Sequence, residues 1–192
     1  MKVLVACEFS GRVRDAFIRH GHDAWSCDLL PTETEGNHYQ CDIFDVLNNE
    51  RWDMMIAFPP CEHLTVACGN LWKQKQADGR QQQAIEFFLQ LYNAPIDKIA
   101  MENPVGILST VWRKPDQIIN PWQFGDPYKK RTCLWLKNLP KLEATNVVEP
   151  IGHWISNGSK GKTNHGVCSD PHTRSLTFNG IAEAMATQWG VL

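Results

Sequence analysis

Apolar positions along this chain fall into short dense runs separated by amphipathic stretches. Lys2 to Cys7 is a β-rich run followed by Ser10-Gly11, and Val13, Phe17 and Ile18 then recur at helical spacing, which predicts strand, tight turn and helix. Asp23 to Cys27 predicts a second strand, ending at Asp28. Asp53 to Phe58 reads as a buried strand that runs into Pro59-Pro60, where missing N–H groups end the ladder and open a loop at Cys61. Between Gly79 and Asn93, the spacing of Ala84, Phe87, Phe88, Leu91 and Tyr92 is that of an amphipathic helix. Lys98 to Met101 is the next predicted strand, delivering Glu102 and Asn103 ahead of Pro104. Thr132 to Leu136 follows with Arg131 at its start, and Ile181 to Trp189 predicts a closing helix.

Strands alternating with helices imply an α/β fold, a Rossmann-like and mostly parallel sheet with helices on both faces. In such sheets ligands bind beyond the carboxyl ends of the strands, where the strand order reverses. Asp28, Cys61 and Glu102 all fall just past predicted strand ends, so one crevice is expected to hold all three.

The chain has 192 residues, enough for one good core, and a single domain over 1–192 is expected. Hydrophobic residues at 43% and charged residues at 21% exclude a disordered or fibrous class. No apolar run approaches the roughly 20 residues that cross a bilayer, so no membrane partner is expected. Seven scattered cysteines, and an N-terminus unlike a signal peptide, point to a cytoplasmic protein with reduced thiols.

A formal charge of -2 counts against a large non-specific DNA footprint. The charge is unevenly spread, however. Between Val111 and Leu142 stand Arg113, Lys114, Lys129, Lys130, Arg131, Lys137 and Lys141 against only Asp116 and Asp126. Beside Trp112, Trp122 and Trp135 this strip suits a phosphate backbone; the alternative is a solvated face over core tryptophans. Ser156 to Asn164, rich in Gly, Ser, Asn and Lys, reads as a loop.

Two blocks carry the chemistry: Ala57-Phe58-Pro59-Pro60-Cys61 and Met101-Glu102-Asn103-Pro104, with Glu102 placed 41 positions after Cys61. In this order they resemble the DNA cytosine-5 methyltransferase family, which has a Pro-Cys nucleophile loop after a strand and a Glu-Asn pair about forty residues later. Phe9-Ser10-Gly11 resembles that family's opening glycine loop. Cys27-Asp28 resembles its acidic ribose site, and Asp42-Ile43 the acid that meets the adenine amino group. Lys129-Lys130-Arg131 resembles its arginine block, with Arg131 at the second arginine and Lys129 at the first. The likeness covers roughly residues 3 to 136, with a weaker echo at Phe178 to Ala182.

The resemblance implies a Rossmann-like methyltransferase domain that uses S-adenosylmethionine, takes DNA as its partner and needs no metal. It implies that Cys61 attacks C6 of cytosine and makes C5 nucleophilic. Glu102 would meet N3 as an acid raised by burial, and Arg131 would hold the O2 carbonyl. Phe9, Ser10, Gly11, Asp28, Asp42, Ile43 and Pro59 would line the cofactor site. Asn103, Pro104 and Lys129 would lie at the substrate, with Asn103 and Pro104 fixing the Glu102 carboxylate. Asp28 and Asp42 also suit a second use, as turn formers or helix caps. His165, Cys168 and His172 have a spacing that zinc tolerates, with Cys61 or His153 as a fourth ligand, but no CxxC pair accompanies them. The other cysteines, Cys7, Cys27, Cys41, Cys68, Cys133 and Cys168, read as packing.

Two departures from the family pattern stand out. Gly11 is followed by Arg12-Val13-Arg14 rather than by further glycines, and arginines at a helix start also suit an anionic ligand. Residues 138–177, a variable loop-rich segment, replace a full target-recognition domain. The expected activity is methylation of cytosine C5 in DNA. The alternatives are the same chemistry on a cytosine mononucleotide, and an inactive relative that binds nucleic acid or protein.

Overall fold

The computed structural model describes residues 1–66, 71–154, 168 and 170–192. A seven-stranded sheet is built from β1 (Lys2–Ala6), β2 (Asp23–Asp28), β3 (His38–Gln40), β4 (Met54–Ala57), β5 (Lys98–Pro104), β6 (Gln117–Ile119) and β8 (Thr132–Lys137), in the order β3-β2-β1-β4-β5-β8-β6. β7 (Tyr128–Lys129) and β9 (Gly152–His153) form a separate parallel pair. The first five strands of the large sheet are parallel; β8 enters antiparallel between β5 and β6. The expected α/β fold with a mostly parallel sheet is observed.

Alternation along β1 shows how both faces are used. Val3 and Val5 point into one apolar cluster, packed with Val13, Ala16 and Phe17 of α1 (Arg12–Arg19) and with Ile181, Met185 and Trp189 of α7 (Asn179–Trp189). Leu4 and Ala6 point into the other, with Ile43 and Val46 of α2 (Ile43–Asn49) and Phe88 and Leu91 of α4 (Arg80–Tyr92). A strand covered on both sides has no polar face, which is why these strands read as continuous apolar runs.

The chain leaves β1 toward β2 and β3 on one side and returns through α2 to β4 on the other, so the order reverses at β1 and β4. The register places Cys27, Ala6, Ala57 and Met101 in one row across β2, β1, β4 and β5. Asp28, Cys7, Phe58 and Glu102 therefore emerge together at the carboxyl edge. Strands spaced by about 4.8 Å keep β1 and β5 within about 10 Å of each other there.

A buried guanidinium fixes one wall of this edge. Arg14 is 0% exposed, pairs with Asp15, and donates to Ser26 Oγ, Thr32 Oγ1, Thr34 O and Oγ1, and Glu35 O. It thereby straps the loop after β2 across the start of α1. Arg12 donates to Thr177 O at 2.8 Å. Both arginines after the glycine turn are thus engaged within the protein, and the anion-binding use of this pair finds no support.

Replacing Arg14 with Met strands several buried acceptors and should cost about 3–5 kcal/mol. Thermal unfolding of Arg14→Met should fall by roughly 10 °C for a chain of this size, measured by circular dichroism.

Candidate active site

Pro59 and Pro60 contribute carbonyls but no donors, so the loop that follows β4 depends on its neighbours. Pro59 O accepts the Asn103 side-chain amide at 2.9 Å, and Asn103 is 0% exposed. Leu64 O accepts from Ile107 N at 2.8 Å, and Val66 N donates to Val105 O at 3.1 Å. Thr65 and Gly106 form an antiparallel bridge. Gly106 has no room for a side chain, since a Cβ would lie 2.1 Å from Leu64 O. The segment carrying Cys61 is therefore stitched along its length to the segment that follows Glu102. Cys61 itself is partly exposed and opens a turn, its carbonyl accepting from Leu64 N and Thr65 N.

Glu102 is the third residue from the end of β5, paired across the sheet with Leu134 of β8. Burial raises its carboxyl pKa, and the nearby charge of Lys130 opposes this without cancelling it. The residue still keeps a partly open surface. Buried behind it, the Cys133 thiol is pushed up to about 11, first by burial and then by Glu102, with Arg131 pulling the other way. Cys133 thus senses both Glu102 and Arg131. Arg131 is exposed, as is Lys129 within β7. The cation felt by Glu102 is Lys130, whose Nζ also donates to Arg174 O at 3.0 Å. Sequence reasoning passed over Lys130, because the motif pointed to its two neighbours.

Two of the cofactor-type residues, Asp28 and Asp42, lie near Cys7, whose thiol is pushed up to about 12 by burial, then by these two acids. Each of those acids has a backbone duty. Asp28 Oδ1 accepts from Leu30 N at 2.9 Å, and Asp42 Oδ1 caps α2 through Phe44 N at 2.9 Å. Ile43 is buried directly behind that cap. Leu29 and Leu30 are 72% and 53% exposed beside Asp28, an apolar surface past a strand end that the sequence reading did not single out.

Gly11 sits at φ 75°, and a Cβ there would come within 2.0 Å of Thr34 Oγ1. Phe9 lies against His172 with ring centroids 5.5 Å apart. Ser10 donates to Glu8, whose other carboxylate oxygen, Oε2, is buried without a partner among the described residues. Burial raises the Glu8 pKa, against the hydrogen bonds from Ser10 and Arg12 N. Glu8 was not anticipated; a lone acid after an apolar strand gives little signal.

Several expectations resolve differently. Trp135 is fully buried, and Trp112 packs on Phe88 and Tyr92. Arg113 stacks on Trp112 and pairs with Asp116 at 2.8 Å, while Lys137 donates to Ala94 O at 3.2 Å. Arg113, Lys130 and Lys137 of the basic strip are thus engaged within the protein, whereas Lys114, Lys129, Arg131 and Lys141 are exposed. Cys68, His165 and Ser156 to Asn164 lie outside the described residues. Among the described residues, no group of three His, Cys, Asp or Glu side chains is arranged to hold a metal, and no helix is long and apolar enough to cross a membrane. Two surface depressions are lined by none of Cys61, Glu102 and Arg131. One, of about 500 Å³, runs between α1 and α7; the other, of about 1030 Å³, lies at the amino ends of the strands around Trp52 and Lys98.

No protein-family model matches this sequence, and no curated protein matches it. Solved structures do match. One is a protein assigned as a DNA modification methyltransferase encoded within an Escherichia coli prophage, with a TM-score of 0.51 and 15% identity, covering 78% of this chain and 52% of that one. Another is the Entamoeba histolytica methyltransferase EhMeth, with a TM-score of 0.51 and 14% identity, covering 77% of this chain and 57% of that one. The chain thus shares the α/β fold of these methyltransferases. It spans little more than half of their length.

The raised Glu102 pKa carries a sign for stability. Above the ordinary carboxylate range the unfolded chain has released this proton while the folded chain retains it, so stability falls as pH rises until the folded group ionises. Glu102→Gln removes that cost. Its melting temperature should exceed that of the native protein at pH 8, and the difference should vanish toward pH 4.

Proposed function

We propose that this chain is an S-adenosylmethionine-dependent methyltransferase acting on C5 of cytosine in DNA through a covalent bond between Cys61 and C6. The observation that supports it best is the stitched pair of segments. The Cys61 loop and the Glu102 strand end are neighbours in the sheet, and the buried Asn103 amide ties one to the other. A nucleophile and an acid that must flank one planar ring need such a shared frame.

The residues present fit the cofactor. Phe9, Ser10, Gly11, Asp28, Asp42, Ile43 and Pro59 would hold it, with the two acids converging on Cys7 and exposed Leu29 and Leu30 offering apolar surface to a purine. S-adenosylmethionine, when bound, supplies an electrophilic methyl group. The protein's own contribution is to make C5 reactive. The Cys61 thiolate adds to C6, and the electrons of the C5–C6 double bond shift into the ring toward N3. Glu102, whose pKa burial raises, gives its proton to N3 as negative charge builds there. Arg131 and Lys129 supply exposed positive charge for the O2 carbonyl and the backbone phosphate, and Lys130 steadies the Glu102 end. After C5 is methylated, its proton leaves to water or hydroxide, the electrons re-form the C5–C6 double bond, the Cys61 sulfur departs as thiolate, and the N3 proton returns to Glu102. Asn103 is fully buried and bonded to Pro59, so it serves the base indirectly by holding the nucleophile loop, with Pro104 ending the strand behind it.

A second reading, the same chemistry on a cytosine mononucleotide, is supported by Arg113, Lys130 and Lys137, strip cations already engaged within the protein. Both readings place the protein where such nucleotides are, in the cytoplasm.

Incubation with labelled cofactor and, separately, double-stranded DNA, single-stranded DNA or deoxycytidine monophosphate should yield 5-methylcytosine in DNA by mass spectrometry. Label confined to the mononucleotide selects the second reading, and no label in any substrate overturns both. DNA containing 5-fluorocytosine should trap an adduct on Cys61, and Cys61→Ala should lose both adduct and turnover. Turnover retained by that variant defeats the mechanism.

A further inference from the structure

The face of the Cys61 loop turned away from β5 is held by three side chains from α3 (Trp72–Ala77) and α4. Trp72 Nε1 donates to Thr65 O at 3.2 Å, Gln81 Nε2 donates to His63 O at 3.2 Å, and Lys75 Nζ donates to Glu62 O. Lys75 is 5% exposed and Gln81 is 3% exposed. Gln81 is itself fixed by the Gln76 amide at 3.0 Å. Each of three consecutive loop positions, 62 to 64, therefore has its carbonyl occupied from outside, since Leu64 O is taken by Ile107.

Two of the three donors from α3 and α4 are neutral, and a neutral donor is enough for a carbonyl. A buried ammonium is a costly substitute for an amide, because its charge has been taken out of water. Among the described residues, no carboxylate lies within ion-pair distance of Lys75. Its positive charge is directed instead at the backbone one residue past Cys61. A cation held beside a thiol favours the thiolate, the form that attacks.

We propose that Lys75 is a positioning residue for Cys61, fixing the nucleophile loop through Glu62 O and favouring the Cys61 thiolate by its buried charge. The inference rests on Cys61 being the reactive thiol, but its test does not need methyl transfer. Iodoacetamide alkylation of the intact protein, followed peptide by peptide with mass spectrometry across pH 6 to 10, reads Cys61 directly. Buried Cys133 in the same digest reports on folding.

Lys75→Met should move the midpoint of Cys61 alkylation upward by about one pH unit, which at pH 7 slows the reaction about tenfold. Cys133 should stay protected. Lys75→Arg, which keeps the charge, should restore most of the rate and the native midpoint. A Lys75→Met profile that superimposes on the native one, with Cys133 protected, overturns the proposal. So does a Lys75→Arg protein that, with Cys133 protected, behaves like Lys75→Met, because the charge then does nothing for the thiol. Failure of the methyltransferase reading shows separately, as absent methyl transfer by a native protein whose alkylation still depends on Lys75.

Discussion

Two consecutive prolines at the end of β4 set the constraint on which this site depends. Pro59 and Pro60 cannot donate to any ladder, and they turn the chain out of the sheet at the point where Cys61 must stand. The loop then offers a row of carbonyls, of which its own backbone meets that of Cys61, from Leu64 N and Thr65 N. The carbonyls of Pro59, Glu62, His63, Leu64 and Thr65 are met from two sides: by Asn103 of the strand that carries Glu102 and Ile107 just beyond it, and by Trp72, Lys75 and Gln81 from the helices behind. A loop held this way has its geometry set by its neighbours rather than by its own propensities. That is how a thiol on a loop acquires the positional accuracy usually reserved for side chains on strands.

The strands with two buried faces were legible because burial on both sides writes an unbroken apolar run into the sequence. β1, β4, β5 and β8 were all readable on that ground, and so were α4 and α7 from their helical spacing. β3 and β6, of three residues each, carry no such signal. β6 is held by the Gln117 side chain, which both donates to and accepts from Leu142, a contact between positions 25 residues apart that no local pattern encodes. The antiparallel entry of β8 was equally invisible, since a strand's direction leaves no trace in its composition.

At the proposed site, the motif residues are named by the sequence pattern and the residues that support them are not. Cys61, Glu102 and Arg131 stand in recognisable company, whereas Lys75 lies in a Lys-Gln-Lys-Gln run that looks like a solvated helix face and is buried all the same. Arg14 misleads in the same way. Beside a glycine turn it looks like a ligand for an anion, yet its charge is spent on a strap across the loop after β2. A charged residue's role depends on what the distant chain brings to it, and that is tertiary information.

The short segment in place of a recognition domain is not independent of the catalytic edge. β9 pairs in parallel with β7, and Trp154 N donates to Lys129 O at 3.1 Å, so Gly152 to Trp154 are joined directly to the strand that carries Lys129. Trp154 packs in turn on Tyr128 and Phe178, and Lys130 lies over the Phe178 ring. The cations proposed to face a nucleotide are therefore set by the same aromatic cluster that anchors the segment following β8. In an enzyme with a separate reading domain, base recognition and chemistry can vary apart from one another. Here a change at Tyr128 or Trp154 would shift Lys129 and Lys130 together, and with Lys130 the charge sensed by Glu102. In the proposed enzyme, the cations offered to the substrate backbone and the charge felt by the Glu102 carboxyl would thereby be set by one small packed cluster.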